Sequence, residues 1–211
     1  MFQHKNNMQM KKSFLVIFLL SLCLQLFSQS KNDKWIFGVG ITAVDFYPTK
    51  VGNSDGMFSE FANAKDHWSI AGPRIHGATH IAGKFSVDFG LSFNSINKVG
   101  DQKLTKNLKY IGIDVSGQYA FLPVDDKIQP YAFVGAGYTV LDKNGAATFN
   151  AGLGSTFWIN ESVGVNFQGM YKHTSDTNQS VPAHFLYSAT LVMRISGLLG
   201  RRGHGGKGCF Y

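Results

Sequence analysis

The 211-residue sequence predicts an all-β fold, an eight-stranded antiparallel up-and-down transmembrane β-barrel. Three observations predict it. Apolar and polar residues alternate at period two in segment after segment, the signature of strands with two unlike faces. Several of these segments run 11–13 residues, longer than ordinary strands and matched to a tilted crossing of a bilayer. The polar faces carry Gly, Ser, Thr and Asn, which suit a narrow lumen, whereas a water-facing strand would carry Lys and Glu.

The elements follow in order. Trp35–Phe46 sets Trp35, Phe37, Val39 and Ile41 against Gly38, Gly40 and Thr42. Arg74–Ile81 is a weaker strand. Phe85–Ile96 alternates cleanly, with Phe85, Val87, Phe89, Leu91 and Phe93 against Ser86, Asp88, Gly90, Ser92 and Asn94. Leu108–Leu122 places Ile111, Ile113 and Val115 opposite Gly112, Asp114 and Ser116. Pro130–Val140 is again weaker. Ala147–Ile159, Val163–His173 and Ala183–Ile195 repeat the pattern and bring the total to eight, an even number. Aromatics near the strand ends (Trp35, Phe46, Trp68, Phe85, Tyr110, Phe121, Tyr131, Trp158, Tyr171, Tyr187) are expected to form interfacial girdles. The connections Tyr47–His67, Asn97–Asn107 and Thr174–Pro182 are long, while Ala82–Lys84 and Asn160–Ser162 are short. Long loops at one end and tight turns at the other are the habit of exported barrels. Pro123–Gln129 is long for a turn, and Leu141–Ala146 is short for an external loop.

The segments WIFGVGITAVDFYP, FSVDFGLSFNSI, NLKYIGIDVSGQYAF, QPYAFVGAGYTVL and FNAGLGSTFWINESVGVNFQGMYK resemble the amino-terminal barrel of OmpA-type outer-membrane proteins, in the form found in Bacteroidetes. The resemblance covers roughly residues 33–196 and rests on many strands together. It implies an outer-membrane location and a barrel filled by a polar network. In that family the barrel is commonly followed by a periplasmic peptidoglycan-binding domain. The closing GLLGRRGHGGKGCFY matches neither that domain nor its linker, so peptidoglycan binding is not carried over.

Charge belongs to the ends. The formal balance is +7, from 20 Lys plus Arg against 13 Asp plus Glu. Lys5, Lys11 and Lys12 lie in residues 1–30, and Arg201, Arg202 and Lys207 in residues 198–211, with no acid in either stretch. Removing those six leaves 14 basic against 13 acidic residues, so the body carries no stripe able to neutralise phosphates and no nucleic-acid partner is expected. Lys11-Lys12, the apolar run Ser13–Phe27 and the small, polar Ser28-Gln29-Ser30 predict a secretory signal peptide over 1–30. The barrel is then expected over 31–197, with a Gly/Arg-rich disordered tail over 198–211. Removal of the signal takes Cys23 with it and leaves Cys209 alone, so no disulfide is expected.

The candidate site is the barrel interior. Arg74, Asp88, Asp114, Lys172 and Arg194 fall on the inward faces and are expected to pair, because isolated charges in a low-dielectric lumen are costly. His76, His80 and His184 share those faces. No cofactor, metal or catalytic site is expected. The pairs Gly38/Gly40, Gly135/Gly137 and Gly152/Gly154 lack the third glycine and the following helix of a dinucleotide fingerprint. His76 and His80 on a strand lie more than about 10 Å apart, too far to share a metal. His173, Thr174, Ser175 and Asp176 supply the residue types of a hydrolytic group within one loop, without orienting geometry. Met57, Phe58 and Phe61 in the first loop pack over the mouth or meet an external ligand. The expected role is therefore structural, with outer-membrane lipid and the barrel-assembly machinery as partners. A low-conductance pore and a barrel enzyme acting on outer-membrane lipid are the alternatives.

Overall fold

The computed structural model describes residues 34–46, 67–99, 102–123, 126–175 and 180–196. The expected signal segment 1–30, the first-loop residues Met57, Phe58 and Phe61, and the expected tail 198–211 lie outside them. The described chain forms β1 (Lys34–Asp45), β2 (Ser69–Ala82), β3 (Phe85–Val99), β4 (Gln102–Ala120), β5 (Ile128–Leu141), β6 (Asn144–Trp158), β7 (Val163–Thr174) and β8 (His184–Ser196). The eight strands close in sequence order into one barrel, each antiparallel to the next and β8 to β1.

Register fixes the geometry of closure. From Trp35 the paired residues run through Thr79, Val87, Gly117, Val134, Ala151, Tyr171 and Phe185. The circuit returns to β1 at Asp45, ten residues beyond its start (45 less 35). With a rise of about 3.3 Å per residue and strands about 4.8 Å apart, that offset tilts the strands by roughly 40°. A strand so inclined crosses the hydrocarbon in about 9–11 residues. Strands of 12 to 19 residues therefore reach past it.

The two faces are unlike, as the alternation requires. Val39, Ile75, Phe89, Ile113, Val134, Leu153 and Leu191 point outward and are exposed, with Leu153 at 64%. Such a surface is stable against lipid and costly against water, at about 25 cal/mol for each Å² of apolar area. Inside, Thr, Asn, Gln and charged side chains fill the bore, as eight strands permit.

Three sequence expectations change. Asn97–Asn107 is not a long loop, because β3 and β4 stay paired out to Val99 and Gln102. Apolar alternation fades there because both faces of the hairpin stand beyond the lipid, while the backbone goes on pairing. Four of the ten girdle aromatics, Phe46, Tyr110, Tyr131 and Trp158, are buried instead. Tyr110, Tyr131 and Trp158 sit on the inward parity of their strands and Phe46 directly follows β1, and nearness to a strand end did not reveal their burial. The interior is also not polar throughout. Val44, Phe46, Ile96, Tyr110, Leu141, Met170, Val181 and Leu186 belong to an apolar cluster packed at the end opposite the termini.

Local devices hold these elements in place. β2 bulges where Thr42 faces Gly72 and Ala43 faces Ile70. Asn94 Nδ2 donates to Ser69 O (3.0 Å) and Thr42 O (3.3 Å), satisfying carbonyls beside the irregularity. Asp142 turns the β5–β6 hairpin with φ of 56°, a left-handed conformation that Asp tolerates.

Candidate functional site

At mid-barrel the inward parity of β2, β3, β4 and β7 converges. Asp114 is the hub. Its Oδ1 lies 2.7 Å from Lys172 Nζ and accepts from Asn150 Nδ2 at 2.8 Å, while Oδ2 lies 3.8 Å from Arg74 Nη1. Arg74 continues toward the terminal end, with Nη2 3.8 Å from Asp88 Oδ1. It also donates to Ser92 Oγ (2.8 Å) and Gln168 Oε1 (3.2 Å). Arg74, Asp88, Asp114 and Lys172 are each 2% exposed or less, so these contacts are made away from bulk water. Two cations face two carboxylates, which answers the burial cost of each.

Glycines make the space. A Cβ at Gly90 would come within 2.6 Å of Arg74 Nη2, and one at Gly137 would collide with Asp114 Oδ1. Gly137, of the pair that lacks a dinucleotide fingerprint's third glycine, thus leaves room on the inward face for a carboxylate.

Arg194, expected in the same network, stands elsewhere. Its guanidinium carbon lies 3.6 Å from the centroid of the Trp158 ring and Nη1 donates to Glu161 O at 3.3 Å, near the terminal end. It shares the inward parity of β8, but parity specifies a face and says nothing of height along the barrel. Sequence reading also missed the neutral partners Ser92, Asn150 and Gln168. Their inward positions were legible, and their convergence depends on the ten-residue offset.

Above and below the hub two shorter sets complete the column. Toward the external end, Lys172 Nζ lies 5.9 Å from the Tyr110 ring centroid. Tyr110 O–H donates to His184 Nε2 at 2.9 Å, and His184 Nδ1–H donates to Pro182 O at 2.9 Å. That assignment follows from the carbonyl, which can only accept. Phe46, a member of the apolar cluster, packs on His184 at 4.9 Å. Toward the termini, His76 Nδ1 meets Asp88 Oδ2 at 2.8 Å and Nε2 meets Thr190 Oγ1 at 3.0 Å. A vestibule of about 70 Å³ reaches His76 and Asp88 from that end, lined also by His80, Lys84, Tyr131 and Arg194.

Thr190, His76 and Asp88 copy the order of a nucleophile, a base and an orienting acid. They do not make an acyl-transfer site. Thr190 is 2% exposed, and it pairs with Gly40 on one side and Asn166 on the other, so the ladder occupies its strand on both edges. His173 and Thr174 fall on opposite faces of β7, and Asp176 of the loop set lies outside the described residues. Among the described residues no group of three or more His, Cys, Asp or Glu is placed to hold a metal.

A closed eight-stranded barrel with an apolar outside and a charge-paired inside is a membrane barrel of the outer-membrane type. The chain belongs to the outer membrane protein β-barrel domain family, whose model matches residues 14–190. Among solved structures it is similar to the outer membrane protein OprG of Pseudomonas aeruginosa, at 14% identity and a TM-score of 0.54, covering 78% of this chain and 97% of that one. The amino-terminal barrel domain of Pseudomonas aeruginosa OprF aligns at 6% identity and a TM-score of 0.49, covering 78% and 100%. Ail, the attachment invasion locus protein of Yersinia pestis, aligns at 9% identity and 0.48, covering 79% and 100%. No curated protein matches the sequence. The family and the fold place the barrel in the outer membrane.

Proposed function

We propose that this protein is a structural barrel of the outer membrane, exported through the segment 1–30, with its termini on the periplasmic side and its longer connections outside. The observation that carries this reading is the Arg74–Asp114–Lys172 set, which ties three distant strands together beneath an apolar seal. A side chain anchored on both flanks holds the strands around it in register, and the apolar cluster is expected to stop water and ions. Outer-membrane lipid surrounds the outward face, and assembly machinery inserts the strands. Loops outside remain available to an external ligand.

The test is electrical and electrophoretic together. Outer-membrane extracts should give a heat-shifted band of the folded barrel, and the same protein in a planar bilayer should give no conductance steps. Steady channel events in folded wild-type protein would overturn the closed-barrel reading. The low-conductance pore has one observation in its favour, the vestibule that already reaches His76. If the seal is its only remaining barrier, Tyr110→Ala with Leu186→Ala should admit small ions, seen as new conductance steps. The enzyme alternative predicts modified lipid on overexpression, and mass spectra of extracted lipid A should stay unchanged.

A further inference from the structure

The β3–β4 hairpin carries more charge than a plain connection needs. Residues 95–109 hold Lys98, Lys103, Lys106 and Lys109 against one acid, Asp101. On its β5 side, β4 is paired only from Tyr110 onward, opposite Leu141, so Gln102–Lys109 rises past the rim set by β5. The β5–β6 turn adjoins its base, where Asp142 N–H donates to Lys109 O at 2.7 Å, and this turn adds the exposed Lys143. Lys103, Lys106 and Lys109 are exposed too. Lys98 and Lys103 face each other across the hairpin.

Height decides which anion fits. Lys109 continues the outward row of Val115, Ile113 and Ile111, and stands about 7 Å along the strand beyond Ile111, two residues on. A lysine at that step sits where hydrocarbon gives way to headgroups, with Lys143 beside it and the other lysines farther out. We propose that this patch binds the phosphate groups of the lipid in the outer leaflet, and so fastens one side of the barrel mouth to the membrane surface. The inference rests on the outer-membrane placement above. A soluble polyanion would have no reason to match the row of lipid-facing residues.

The test uses full-length protein folded in detergent, titrated with diphosphoryl lipid A, with phosphatidylcholine and with heparin, and read by native mass spectrometry. Wild type should retain diphosphoryl lipid A at least tenfold better than phosphatidylcholine. Each of Lys103→Gln, Lys109→Gln and Lys143→Gln should weaken that retention by about fivefold, the size expected for one cation near an anionic surface. The corresponding Arg variants should keep it. Heat-shifted mobility checks each variant for folding, and a variant that misfolds is replaced by its Arg and Glu counterparts at the same position. Equal retention of the two lipids, or Gln variants that match wild type, would overturn the proposal. Heparin displacing lipid A from the lysines would overturn it in favour of a soluble polyanion. Wild type without a heat-shifted band would remove the barrel reading itself, a different failure.

Discussion

Asp114 is the residue on which the interior turns. It meets Lys172, Asn150 and Arg74 from three strands, and Arg74 is shared with Asp88 at the same 3.8 Å. Asp114→Asn keeps the shape and removes the charge, leaving two buried cations opposite one remaining acid. The expected loss is about 3–5 kcal/mol, seen as a lower urea midpoint for the barrel folded in lipid vesicles. Adding Lys172→Met should recover much of it, because an apolar replacement removes the orphaned charge. A double variant as unstable as the single one would show that the pair is not the source. Gly90→Val is expected to cost about 1–3 kcal/mol by crowding the Arg74 guanidinium, measured the same way.

The β3–β4 hairpin shows what sequence alone could and could not tell about an element. Alternation located both strands wherever one face met lipid and the other the lumen, as in Phe85–Phe93. It lost the outer third, because most of Asn97–Asn107 stands clear of both environments while the backbone goes on pairing. The candidate site was legible to the same depth. Period two put Arg74, Asp88, Asp114, Lys172 and Arg194 on inward faces, yet assigned none of them a level. Convergence of the first four, and the separate place of Arg194 over Trp158, depend on inter-strand offsets that turns set and side-chain patterns do not record. Although Leu104 packs against the interior cluster, most described side chains of the outer hairpin are exposed, so replacing Lys98–Lys106 by Asn-Gly should leave the heat-shifted band intact. The unfolding midpoint should move by less than about 1 kcal/mol in equivalent stability. A larger loss would mean that the extension supports the mouth.

For the molecule as a whole, burial is inverted. At the level of the lipid, large apolar side chains face outward, and Arg74, Asp88, Asp114 and Lys172 are sealed within. Val134 lies midway along β5, outward and 58% exposed. Val134→Arg is expected to cost about 2–4 kcal/mol in a bilayer, and far less in a detergent that can reorganise around it. Comparing urea midpoints in the two media checks the claim, and equal losses would count against a lipid-facing position.

The ten-residue offset has a consequence for how the chain can be cut. Seven hairpins each contribute a fixed step, so the β1–β8 seam inherits its alignment from the others and needs no signal of its own. Lys34 and Ser196 meet across that seam, adjacent in space although the chain does not join them. Linking them there and opening the chain instead at Gly83-Lys84 would keep every strand's neighbours, changing only which pair is seam and which is turn. Such a permutant should close into the same barrel: chain ends here are a matter of order of synthesis, not of architecture.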